Sequence, residues 1–140
     1  MLRPVRDTGR QARRAGGAAL LACALLAGCG ESEPSPEQQV RQTLTDFGRA
    51  TSAKDYQALC DRVFAPQLVD ELRQVGLPCE VAMQQSLEDV QDPSITIGKI
   101  TVTDAKATAE VRSSAKGQQP SQDTVQLVEL DGDWRISSLG

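Results

Sequence analysis

The chain has 140 residues, room for one ordinary domain, with 15 Lys+Arg against 19 Asp+Glu and a formal net charge of -4 at pH 7. It contains no histidine. That excludes Ser-His-Asp and Cys-His nucleophile systems and the His-containing zinc sites. Charge is unevenly divided: residues 1–28 hold five arginines against Asp7 alone, whereas from Cys29 onward ten basic groups face eighteen acidic ones. An acidic body with few arginines offers no phosphate-binding footprint, so nucleic acid is not an expected partner.

The first element is a leader. Arg3, Arg6, Arg10, Arg13 and Arg14 precede a dozen uncharged residues, Gly16 to Ala27, that end in small side chains. A charged start, an apolar stretch and a small-residue exit form the pattern of a secretory signal, and the stretch is shorter than the roughly 20 apolar residues that span a bilayer. Arg13-Arg14 lacks the flanking residues of a twin-arginine signal and reads as ordinary leader charge. The exit, Leu26-Ala27-Gly28-Cys29, resembles a bacterial lipobox. That resemblance implies cleavage between Gly28 and Cys29, acylation of Cys29, and a protein held on the extracytoplasmic face of the cell membrane by lipid. A plain signal with a chance cysteine is the alternative. Residues 29–35 are polar and acidic with Gly and Pro, a flexible tether. Its six residues beyond Cys29 reach at most about 20 Å.

The folded body is expected over residues 36–140. Ser35-Pro36-Glu37-Gln38 has the form of a capping box, and Val40, Leu44 and Phe47 follow at helical spacing, predicting a first helix over 36–51. Asp55 is a cap for a second, with Tyr56, Leu59, Cys60 and Val63 on one side. A further turn or two after Pro66 stops at Gly76. Pro78 opens the third, in which Cys79, Met83, Leu87 and Val90 form one apolar stripe. Past Asp92-Pro93 the period becomes two. Ile95 and Ile97, then Ile100 and Val102, are separated at Gly98 by an expected bulge. Lys106 to Ser113 alternates, 117–122 is a polar loop, and strands 124–130 and 134–139 flank the hairpin signal Asp131-Gly132-Asp133. Three helices followed by antiparallel strands is an α+β pattern.

This order resembles the bacterial members of the nuclear transport factor 2-like fold, most plainly in the ending Val128-Glu-Leu-Asp-Gly-Asp-Trp-Arg-Ile-Ser-Ser-Leu-Gly140. The resemblance implies three helices packed on a bent antiparallel sheet, short here of one or two early strands. Cys60 and Cys79, the two cysteines outside leader and lipobox, fit a disulfide between the second and third helices, since a catalytic pair usually has Cys-x-x-Cys spacing. Tyr56, Glu129 and Trp134 are the candidate pocket residues. Glu129 in an apolar pocket would suit a base, as in the isomerases and cyclases of that fold; as a surface carboxylate it would not. No catalytic motif, metal constellation, cofactor loop or internal repeat is present. Asp131-Gly132-Asp133 is too short for a calcium loop. The expected function is a lipid-anchored, non-catalytic domain binding a small apolar ligand or an envelope protein. An isomerase-like enzyme and an envelope spacer or homodimerisation module are the alternatives.

Overall fold

The computed structural model describes Gly30 and residues 32–140, so the expected leader and the lipobox with its acylated Cys29 lie outside the described residues. Among the described residues, no helix is long and apolar enough to cross a membrane. The tether residues Ser32 to Pro34 are exposed and irregular until Ser35 caps the first helix, α1 (Pro36–Ala53). The capping box is reciprocal: Gln38 N donates to Ser35 Oγ at 3.2 Å and Ser35 N to Gln38 Oε1 at 2.8 Å. Pro36 occupies the first turn, where its missing N–H would have had no partner. Val40 and Leu44 are fully buried, and Ala50 and Thr51 extend the same face.

Lys54, in the left-handed region at φ 53°, ends α1, and Asp55 caps α2 (Tyr56–Ala58) by accepting from Ala58 N at 2.9 Å. The chain then widens into a π-helical turn, Leu59–Val63, closed by Phe64 N donating to Leu59 O at 2.8 Å. Pro66 disfavours helical backbone at Ala65. Ala65 is therefore extended, and Phe64 before it is extended too; Phe64 bridges Ile136 in parallel, and Ala65 N donates to Ile136 O at 2.7 Å. Pro66 starts a nine-residue helix of its own, α3 (Pro66–Gln74), and α4 runs Cys79–Ser86. The expectation of three helices is thus corrected to four. The extended Phe64-Ala65 pair separates α3 from what precedes it, so the segment is not a mere continuation.

Four strands, β1 (Ser94–Thr103), β2 (Lys106–Ser114), β3 (Ser121–Leu130) and β4 (Asp133–Ser138), form an antiparallel meander in chain order. Alternation sorts its faces: Ala107, Ala109, Val111, Val125, Leu127, Trp134 and Ile136 are buried under the helices, while Thr108, Glu110, Arg112, Thr124 and Gln126 are exposed. The expected bulge in β1 is present, with Gly98 and Lys99 together opposite Glu110 between the Ile97–Val111 and Ile100–Ala109 pairs. Helix α1 crosses this sheet closely at Gly48, where a Cβ would stand 2.9 Å from Ile95 Cγ1. The disulfide between Cys60 and Cys79 ties the π-helical turn to the start of α4, with the two Cα atoms 6.0 Å apart.

The β3–β4 connection is the two-residue loop Asp131-Gly132, with φ of 53° and 87°. Both positive values match the primed turns whose twist suits a hairpin. Gly132→Ala is expected to lower the free energy of unfolding by about 1–2 kcal/mol, the usual penalty for a side chain in left-handed backbone. The check is a lower urea midpoint at unchanged slope; an unchanged midpoint would refute it.

Candidate functional site

Helix α1, the segment after α4 and the inner face of the sheet border a half-open hollow of about 280 Å³. Its floor is set by strand register. Ile95 pairs with Ser113 and Ser113 with Ser121; Ile97 pairs with Val111 and Val111 with Asp123. Side chains directly opposite in antiparallel strands share a face. Ser113, Ser121 and Asp123 therefore continue the apolar rows of Val111 and Val125 toward the open end of the sheet. Phe47 and Thr51 of α1 form the roof, and Leu87 and Val90 close the side beyond α4.

Leu139 enters the lining through an irregularity. Gln126 pairs with Ser138 but Leu127 with Ile136, so Ser137 is an extra residue in β4. Beyond that bulge the inward and outward positions exchange, and Leu139, which simple alternation from Trp134 and Ile136 would send outward, lines the cavity.

The polar groups converge at one place. Ser113 Oγ and Ser121 Oγ lie 2.7 Å apart, and Ser121 Oγ donates to Asp123 Oδ2 at 2.9 Å. Because Ser121 gives its proton to the carboxylate, Ser113 is the donor to Ser121, and the pair of hydroxyl dipoles points toward Asp123. Thr51, only 8% exposed, has a buried hydroxyl with no partner among the described residues. Other hydroxyls of α1 bond to the carbonyl one turn back: Thr45 to Arg41 at 2.8 Å, Ser52 to Gly48 at 2.9 Å. An apolar hollow with a few convergent polar groups is the usual form of a small-molecule site, and its volume sits at the small end of such sites. A second hollow, of about 350 Å³, lies beside Asp46, Arg49, Asp55 and Arg62. It is larger but less suited, because its walls are surface charges of both signs and Arg49 is already bound to Asp46 at 2.9 Å.

None of the three expected pocket residues lines the apolar cavity. Tyr56 is half-buried on α2. Glu129 does have inner-face parity and pairs with Trp134, but it is only half-buried. The indole of Trp134, 4% exposed, is packed on the inner face where a Glu129 pocket would have to open. The cavity lies toward the other end of the sheet, and its polar residues Asp123, Ser113, Ser121 and Thr51 are not among those expected from sequence. The signal for Asp123 is the odd parity it shares with Val125 and Leu127, hidden because residues 117–122 read as loop whereas β3 begins at Ser121. Among the described residues no cluster of three potential metal ligands occurs.

No protein-family model matches the chain, and no curated protein matches it. Solved structures do. A nuclear transport factor 2-like protein of unknown function from Shewanella baltica OS155 aligns over 71% of this chain and 86% of its own, at 13% identity and a TM-score of 0.53. Another from Silicibacter pomeroyi DSS-3, also of unknown function, aligns over 71% and 88%, at 19% identity and a TM-score of 0.54. A de novo designed protein of that fold, NT-9, covers 76% of this chain and 87% of its own, at 16% identity and 0.52. The fold is therefore nuclear transport factor 2-like, with four helices and a four-stranded antiparallel sheet.

Proposed function

We propose that this chain is a lipid-anchored extracytoplasmic protein whose folded body binds a small, largely apolar ligand in the cavity between α1 and the sheet. The observation that carries the binding part is the cavity itself, about 280 Å³, with Phe47, Ile95, Val111 and Val125 forming an apolar side and serines, glutamines and Asp123 a polar one. The anchor rests on Leu26-Ala27-Gly28-Cys29 placed directly after an apolar leader. Two or more acyl chains, at about 0.8 kcal/mol per buried methylene, hold a domain on a bilayer without a membrane span. Glu129, the carboxylate an isomerase-like reading needs, does not line the cavity, so binding is put ahead of catalysis.

Two measurements test this reading separately. Metabolic labelling with a palmitate analogue is expected to mark the chain and to be lost in Cys29→Ala; unchanged labelling in that variant would end the anchor. For the cavity, Val125→Trp is expected to fill the hollow and weaken uptake of a small apolar probe such as hexanol by about tenfold or more, the scale of leaving one or two methylenes in water. Equal affinity in variant and parent would mean the probe binds elsewhere.

A further inference from the structure

Among the described residues, Asp123 is the only ionisable side chain lining the apolar cavity. No lysine or arginine stands in the wall, and Asp123 makes no ion pair among the described residues. Its Oδ2 accepts from Ser121, itself backed by Ser113, while Oδ1 accepts no hydrogen bond among the described residues. Rows of a sheet that face a core ordinarily carry apolar residues, as Val111 and Val125 do beside it. Asp123 itself is exposed at the mouth of the hollow, and its carboxylate, oriented by two hydroxyls, presents a free acceptor to solvent or to a ligand whose body enters the hollow. Thr51 adds a second such group in the same wall, a hydroxyl more than nine-tenths buried with no partner among the described residues.

On the reading that the cavity binds ligand, we infer that its ligand is a small amphiphile carrying an amine: an apolar body between α1 and the sheet, and an ammonium group on Asp123. The chemistry selects among apolar ligands. An ammonium provides three donors and a positive charge, so at the exposed mouth it gives Oδ1 a charge-assisted bond while its tail lies in the hollow. An alcohol of the same length gives the carboxylate one hydrogen bond and brings no positive charge. A fatty acid brings a second negative charge to a site with no cation in its lining, and is disfavoured by like-charge repulsion.

The test compares hexylamine, hexanol and hexanoate by calorimetric titration of the full chain in uncharged phosphatidylcholine nanodiscs, with empty nanodiscs as the blank. The expected order is hexylamine tightest, by about three- to fivefold over hexanol, the scale of an exposed ion pair, and hexanoate weakest. Asp123→Asn is expected to bring hexylamine level with hexanol, with an unchanged far-UV circular dichroism spectrum showing that the variant is folded. If all three bind alike in the parent chain, or hexanoate binds best, the amine assignment is overturned while the cavity reading stands. If none binds, both fall. The order in the parent chain decides even if the variant does not fold.

Discussion

Replacing Cys60 and Cys79 together by alanine is expected to lower the free energy of unfolding by about 3 kcal/mol, on the chain-entropy account of a cross-link. The two cysteines are 19 residues apart, and the loop they close contains the end of the π-helical turn, the extended Phe64-Ala65 pair and all of α3. None of α3 is fully buried, so apolar packing alone holds that helix weakly. The bond removes from the unfolded ensemble the conformations in which this loop is open, and that freedom is what the double variant returns. Domains of this size are stable by about 5–15 kcal/mol, so the loss is a large fraction of the whole. Urea unfolding of the oxidised parent and the double variant reads it directly: a lower midpoint, with a slope that rises because the unlinked chain exposes more surface. Coincident curves would show that the bond contributes nothing to stability.

What the sequence makes legible is local. Ser35, Pro36 and Gln38 specify their cap by bonds three residues apart, and Asp131-Gly132 specifies its turn by backbone preference alone, so both are readable without knowing the fold. The cysteine pair is readable for a different reason: export and lipidation account for Cys23 and Cys29 on that reading and leave two. What escapes is settled by partners. The π-helical turn changes the helical phase at Cys60, and no spacing rule sees it, because its fifth-residue bond serves to deliver Phe64 to the edge of β4. Ser121 and Gln122 read as loop and Asp123 falls just before the expected strand; their pairing with Ser113, Arg112 and Val111 makes all three strand. Leu139 reaches the cavity only through the Ser137 bulge. The site is assembled from such long-range choices, which is why sequence spacing points to a pocket around Glu129 and the cavity lies around Asp123 instead.

Trp134→Ala is expected to destabilise the fold by about 3–5 kcal/mol, the range for removing a buried large aromatic side chain. Trp134→Phe is expected to cost far less, about 1–2 kcal/mol, because two opposing terms nearly meet. Phenylalanine leaves a smaller ring in the space of an indole that is 4% exposed. It also removes the indole N–H, which is buried without a hydrogen-bond partner among the described residues and so carries a desolvation penalty that nothing offsets. The comparison is clean because the link between α1 and β4 at this position uses the backbone: Thr43 Oγ1 donates to Trp134 O at 3.0 Å, a bond both variants keep. Urea midpoints should therefore rank parent, phenylalanine, alanine, with the gap between the two variants the wider one. A phenylalanine variant as unstable as the alanine one would mean that the indole nitrogen is satisfied and its bond is broken by the substitution. Since Trp134 lies outside the cavity lining, the phenylalanine variant should also bind hexanol as the parent does, separating the groups that hold the sheet under its helices from those that meet a ligand.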